Sequence, residues 1–227
     1  MITAQIATVP HREDMLQTVV NSLIDQVDKI NIMLNGYKDA PMFLKQLEFH
    51  TDKLHYFDMM EGEMGDAAKF FRVENLEGYV FTCDDDIQYP PDYVKVMIAE
   101  LQRYDNKVIL TNHGREMHRK PVVSIYSDRK ETHHTFLETK SVKLDIGGTG
   151  VMAFHTDFFK PKYREFKRAN MADIWVAKQA KEQGLKIMMN PHPENWLVPL
   201  DINEKQPSIW DRKYLNDEKE TEIYNSF

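Results

Sequence analysis

The sequence predicts an α/β fold: a mostly parallel central sheet flanked by helices, in a single domain. Two observations carry that expectation. The first thirty-odd residues read strand, helix, strand, the order that feeds a parallel sheet. Tyr79 to Thr82 then reads as a buried strand of the parallel-sheet kind and runs directly into Asp84, Asp85 and Asp86.

Ile2 to Thr8 is β-prone and ends at Pro10. From Glu13 to Gln26, Leu16, Val19, Val20 and Leu23 recur at helical spacing, which predicts an amphipathic helix. Lys29 to Leu34 alternates into a second strand, and Asn35-Gly36 marks a turn. A short helix and a strand near Leu54–Phe57 are expected next, then a loop from Gly62 to Gly65 and a helix capped by Asp66 that runs to Arg72. Pro90 and Pro91 suit the first turn of a helix whose inward stripe is Val94, Met97, Ile98 and Leu101. Val108 to Thr111 is another strand. From Gly114 to Lys140 the pattern weakens, as expected of an excursion over the active face. Gly147 to Gly150 is a tight turn into a strand at Val151–Phe154, Ala172 to Gln183 is a helix stopped by Gly184, and Lys186 to Met189 is a last strand. The polar tail offers Trp210, Tyr214 and Tyr224 as docking anchors.

The chain has 227 residues, enough for one sizeable core, with 42% hydrophobic and 29% charged residues, the balance of a soluble globular protein. No apolar run reaches the length of a membrane span, and the N-terminus lacks the pattern of a secretory signal. The single cysteine, Cys83, excludes an internal disulfide and reads as a buried strand residue. A cytoplasmic location follows as the expectation, with peripheral attachment to the inner membrane face compatible with it. A net charge of −7 argues against a broadly basic, phosphate-gripping face. Two local basic runs remain, Arg115 with His118, Arg119 and Lys120, and Lys160 to Arg168; solvated surface is the expectation for both.

The chemistry centres on Asp84-Asp85-Asp86. Three adjacent carboxylates at the C-terminal end of a hydrophobic strand lie where open α/β sheets bind ligands. They repel one another and call for a cation. Carboxylate oxygens suit hard Mg²⁺ or Mn²⁺, which commonly also takes oxygens from a substrate diphosphate. A solvated acidic turn capping the next helix is the competing reading. Lys69 follows a helix start and could order a phosphate, or lie on the surface. Gly147-Gly148-Thr149-Gly150 could cradle phosphate or let a sugar approach the backbone, or simply turn the chain into its strand. Asp173 near a helix start could face a sugar or an acceptor hydroxyl, or only complement the helix dipole. His113 and His192 could complete a metal site or bind diphosphate. His133 and His134 read as surface residues.

Taken in order, these residues resemble the GT-A fold glycosyltransferases, and most closely the bacterial α-N-acetylglucosaminyltransferases that build heparosan capsule. The matching stretches include Ser22-Leu23 with Gln26 to Asn31, Lys69-Phe70, Asp84 to Ile87 with Tyr89 to Val94, His113-Gly114, Gly148 to Gly150, Asp173 and Asn195 to Leu197. The exostosin-type domains are a more distant likeness.

The resemblance implies a UDP-sugar donor carrying GlcNAc or glucose, a divalent metal held by an Asp-X-Asp motif, and retention of the donor's α configuration. Asp84, Asp85 and Asp86 would hold metal, ribose and diphosphate, with Asp86 the first metal candidate and Asp84 beside it; His192 joins the metal candidates from its residue type alone. Pro10 and Arg12 would border the nucleotide, and Lys69 would lie near the donor. Gly148 and Thr149 would line the sugar or acceptor, and Asp173 would contact the transferred sugar or acceptor hydroxyl and is the catalytic candidate; His113 and Arg115, by their own chemistry, are candidates to meet acceptor or diphosphate. At His192 the family pattern has a basic residue instead, and residues 115–144 do not match it.

The expected organisation is a GT-A domain over residues 1–200, its nucleotide-binding part about 1–112 and its acceptor side about 113–200. Residues 201–227 form a tail that packs on it or extends from it. A glycan acceptor for polysaccharide synthesis is the leading reading. Transfer to hydroxymethylated bases in DNA by a phage-type enzyme, a nucleotidyltransferase, and a non-catalytic sugar-nucleotide-binding module are the alternatives.

Overall fold

In the computed structural model, which describes residues 1–59, 65–200 and 217–227, every strand expected of the first 112 residues forms. Among the described residues the α-helices are α1 Glu13–Leu23, α2 Met42–His50, α3 Tyr93–Arg103, α4 Ala172–Glu182 and α5 Glu218–Asn225. The strands, in chain order, are β1 Ile2–Thr8, β2 Lys29–Asn35, β3 Leu54–Met59, β4 Tyr79–Cys83, β5 Ile87–Gln88, β6 Val108–Thr111, β7 Gly114–Met117, β8 Arg129–Thr132, β9 Lys143–Leu144, β10 Ile146–Gly147, β11 Val151–His155, β12 Lys186–Met189 and β13 Val198–Pro199.

The main sheet has the order β3-β2-β1-β4-β11-β6-β12-β9. Its first four strands are parallel, as is β12 beside β6. β11 runs against both β4 and β6. Alternation along each strand separates two cores. Phe81, Cys83, Val151 and Ala153 join the helices α1 and α3 on one face. Val80, Met152 and Phe154 join α4 and Tyr224 of α5 on the other. The result is three layers, helix on sheet on helix, with each fully buried aliphatic side chain contributing about 1.5–3 kcal/mol.

Several boundaries differ from expectation. The α1 stripe of Leu16, Val19, Val20 and Leu23 is wholly buried, but the helix stops at Leu23 rather than Gln26. The Gln26 amide instead donates to the carbonyls of Ser22 (2.7 Å) and Pro90 (2.8 Å) and accepts from Val94 N–H (3.1 Å), which anchors the start of α3. The prolines precede α3 as a turn closed by Tyr93 N–H to Pro90 O at 3.0 Å. β2 does not alternate; it is buried on both faces except at Lys29. The helix expected from Asp66 to Arg72 is a 3-10 helix over Gly65–Phe70, and Arg72 at φ 61° breaks any continuation. Residues 114–140 supply β7 and β8, and β7 pairs with both β8 and β10 in a separate three-stranded sheet.

Trp210 and Tyr214 lie outside the described residues, as does most of the loop at Gly62 to Gly65. Tyr224 is buried in the second core. No helix among the described residues is long and apolar enough to cross a membrane.

Candidate active site

The order β3-β2-β1-β4 means that the chain leaves β1 towards one edge of the sheet and later returns to its other side. Between the C-terminal ends of β1 and β4 the following segments diverge, and such a switch point opens a crevice. Two segments meet there. After β1, Val9 is extended and Pro10–Arg12 forms one 3-10 turn. After β4 come the three aspartates.

Arg12 bridges this crevice. Its Nη1 lies 2.6 Å from Asp85 Oδ1 and 3.0 Å from Asp86 Oδ2. Lys69, with 2% of its side chain exposed, is paired with Asp84 from below. The surface alternative for Lys69 is therefore overturned, because the 3-10 helix presses Ala67 to Phe70 into the sheet. Part of the counter-charge expected of a metal is thus supplied by the chain itself: two cations face three carboxylates.

The three acids differ in consequence. Burial raises Asp84, but Lys69, with Arg12 and His134 behind it, holds the carboxyl below its usual range. Burial raises Asp85 in spite of Arg12, and its Oδ2 is buried without a hydrogen-bond partner. Asp86 is pushed up to about 7 by burial and by the charges of Asp84 and Asp85. A cluster with this residual charge and an orphaned carboxylate oxygen fits a hard divalent cation.

The antiparallel β11 brings the glycine turn to the same edge, since Val151 at its start pairs with Cys83 at the end of β4. Asp84 N–H donates to Gly150 O at 3.0 Å, and the Tyr89 hydroxyl accepts from Asp84 N–H at 2.9 Å while donating to Gly150 O. This explains why Tyr89 belongs with the acidic block. The glycines of this turn make room for the protein's own groups. A Cβ at Gly150 would sit 1.8 Å from Asp84 Oδ2, and one at Gly148 2.6 Å from the His113 ring.

α4 starts at this edge, and Asp173 in its first turn accepts from Thr149 N–H (2.9 Å) and the Thr149 hydroxyl (2.8 Å), both on Oδ1. Asp173 is therefore tied to the glycine turn, beyond any dipole effect. Cys83 is wholly buried, which pushes its thiol up to about 12 and leaves it neutral.

These groups surround a cavity of about 790 Å³, lined by Arg12, Lys69, Asp84, Asp85, Asp86, His113, Arg115, Gly148, Thr149 and Asp173. That is within the range of small-molecule sites. Two predicted site residues are absent from its wall. Pro10 is exposed and only shapes the turn, while Val9, His11 and Arg12 face the cavity. His192 is buried away from the wall, bridged to Glu138 through the backbone and stacked on Trp196 at 6.2 Å.

Other contributors went unrecognised in the sequence. His133 and His134, expected on the surface, are half-buried and line the cavity with Glu131. Arg115, expected both in a solvated basic run and at acceptor or diphosphate, is not surface: it is 6% exposed, lines the cavity and stacks with Arg129 on Tyr126 at 4.8 and 4.9 Å. Asn35, ending β2, lines the cavity with its Oδ1 buried and unpartnered. The C-terminal helix α5 holds the wall segment around Tyr126: Asn225 exchanges two 2.9 Å bonds with Val122, and Ile125 N–H donates to Thr221 Oγ1 at 3.1 Å. No local signal marks His133, His134, Asn35 or the α5 brace, since contacts far along the chain place them. The weak pattern over residues 114–140 was the one available cue.

No protein-family model matches the sequence, and no curated protein does. Solved structures do match in fold. The crystal structure of GalNAc-T7 with UDP, GalNAc and Mn²⁺ superposes with a TM-score of 0.68 at 10% identity, over 92% of this chain and 45% of that one. S. aureus TarS 1–349 gives 0.58 at 11% identity, over 85% and 58%. The same TarS fragment in complex with UDP-GlcNAc gives 0.59 at 12% identity, over 98% and 64%. This chain thus spans between about half and two thirds of those chains, and the likeness is one of fold.

Proposed function

We propose that this chain, which has the GT-A fold, is a metal-dependent glycosyltransferase that moves a sugar from a UDP-sugar to a hydroxyl acceptor. One observation carries the reading. Three carboxylates at the β1/β4 switch point share an open cavity with Asp173, which is held in a fixed orientation on the adjoining wall. The likeness in fold to structures holding UDP, Mn²⁺ and UDP-GlcNAc supports the donor class.

Asp86, with Asp84 or Asp85, would hold Mn²⁺ or Mg²⁺, which when bound would offset the charge that builds on a departing diphosphate. Arg12 lies across these acids and is the side chain that would turn to the diphosphate when the cation takes its place. Asn35 suits a nucleobase N–H, because its buried carbonyl oxygen is unpartnered. Lys69 keeps Asp84 ionised. Asp173, with Oδ1 occupied by Thr149, would present its other oxygen to the acceptor hydroxyl or the transferred sugar. Arg115 would face an anionic part of acceptor or diphosphate. Retention of the donor's configuration, GlcNAc or glucose as the sugar, and a glycan acceptor are the finer parts of the proposal.

The test is UDP release from a panel of UDP-sugars with Mn²⁺, Mg²⁺ or EDTA, followed by acceptors that include oligosaccharides and hydroxymethylated DNA. Metal-dependent release that Asp86→Ala abolishes is expected, and the anomer of the product reads out retention. Release of pyrophosphate, or donor binding with no turnover on any acceptor, would overturn the assignment.

A further inference from the structure

The cavity wall beside the glycine turn carries three imidazoles, of which the sugar-transfer reading calls on His113 alone. His113 follows β6, and His133 and His134 follow β8, so the small sheet β10-β7-β8 is what brings them together. One ligand nitrogen from each lies within 4.8 Å of the other two. Their ring centroids stand 4.9 Å apart for His113 and His133, 4.1 Å for His133 and His134, and 6.1 Å for His113 and His134.

We propose that His113, His133 and His134 form a second cation site, a three-nitrogen site for a borderline transition-metal ion of the zinc class, distinct in its donors from the oxygen-donor aspartates that share the cavity. The donor chemistry decides the class: imidazole nitrogen selects Zn²⁺ and its neighbours over Mg²⁺ or Mn²⁺, which prefer carboxylate and water. Nitrogens around a tetrahedral zinc ion stand about 3.3 Å apart for Zn–N distances near 2.0–2.1 Å. Small ring rotations on a half-buried wall would close the gap from 4.8 Å.

Two nitrogens of the cluster, His113 Nδ1 and His134 Nε2, are buried without a hydrogen-bond partner. His133 already has an outer partner, with Nδ1 at 2.8 Å from the Thr135 hydroxyl, the kind of contact that orients a ligating ring. Negative charge adjoins the cluster as well. Glu131 Oε1 lies 3.9 Å from His113 Nε2 and offsets Arg115 and Arg129 on the same side. Burial lowers all three rings; Arg115 adds to this at His113, and His133 adds to it at His134, which falls to about 4. Because the protein supplies three ligands and the rings line the cavity, a fourth position would remain open to a small oxygen or nitrogen ligand there.

The inference does not depend on sugar transfer, and its test reads metal binding directly. The metal-stripped full chain is titrated with Co²⁺, followed by its visible absorption, and with Zn²⁺ in competition. One equivalent should bind with the intense band of a low-coordinate nitrogen site, and Zn²⁺ should displace it. Loss of an outer-sphere partner alone weakens metal sites about 10–100-fold, so loss of a ligand should cost at least ~100-fold. His133→Ala and His134→Ala should each show that loss while still unfolding cooperatively; both rings are half-buried and less structural than His113. Asp86→Asn should bind Co²⁺ as the wild type does. An absent band, a band that survives both histidine substitutions, or one that Asp86→Asn removes would each overturn the proposal, the last by assigning the ion to the aspartates.

Discussion

Thr149 donates both its backbone N–H and its hydroxyl to the same oxygen of Asp173, at 2.9 and 2.8 Å. The turn before β11 therefore fixes the rotamer of the one carboxylate in the first turn of α4, with both bonds on Oδ1.

Asp173→Asn should accordingly keep its UDP-sugar affinity within about 3-fold and lose about 10²–10⁴ in turnover, the usual weight of a positioned acid or base. Thr149→Val keeps the backbone bond but not the hydroxyl bond, and should lower kcat by about 10-fold with KM little changed. Steady-state kinetics on both variants, with donor affinity from calorimetry, checks this.

Lys69→Met removes the buried partner of Asp84. About 2 kcal/mol of stability should be lost, less than the 3–5 kcal/mol of a wholly buried pair, because 39% of the Asp84 side chain is open to the cavity. Lys69→Met with Asp84→Asn should recover most of that loss. Urea unfolding of the two variants and the wild type measures it.

Asp86 makes the metal-free protein sensitive to pH. Its folded carboxyl is raised to about 7, above an unfolded value near 3.9. The folded state therefore holds the proton more tightly, and the associated stability is full below about pH 4 and lost as pH rises through 7. Asp86→Asn should raise the metal-free Tm relative to wild type at pH 8 and not at pH 4, and Mn²⁺ should raise the wild-type Tm most at pH 8. Thermal unfolding at the two pH values, with EDTA or Mn²⁺, supplies the comparison.

Gly150→Ala should impair the acidic cluster through one contact. Its Cβ would lie 1.8 Å from Asp84 Oδ2, so the carboxylate must swing off Lys69 or the backbone must shift. A stability loss of about 1–3 kcal/mol is expected, together with at least ~10-fold weaker Mn²⁺ activation of UDP release. Gly184→Ala is the control: no neighbour lies within 4 Å of its Cβ, and its φ of +70° confines any cost to local strain at the end of α4.

The elements most legible in the sequence were those whose signal is local. Val108 to Thr111 and Lys186 to Met189 form strands at the bounds their apolar runs suggest, and the α1 stripe is buried as its spacing requires. Local signals misled where a side chain answered a distant group. Gln26 left the helix to hold Pro90 and Val94, and His133 and His134 looked like surface residues because the strand that carries them inward has weak periodicity.

By itself the sequence determined the α/β layering, the acidic strand end and the conformational freedom of the glycine turn, because hydrophobic period and backbone preference are set by near neighbours. Only the tertiary structure decided what those pieces do together. It reversed β11 so that Gly150 meets Asp84, spanned 73 residues to set Arg12 on Asp85, gathered three histidines from two strand ends, and made the C-terminal helix a brace for the cavity wall. Such contacts depend on how the sheet orders its strands, and strand order is fixed by burial across the whole chain rather than by any one segment.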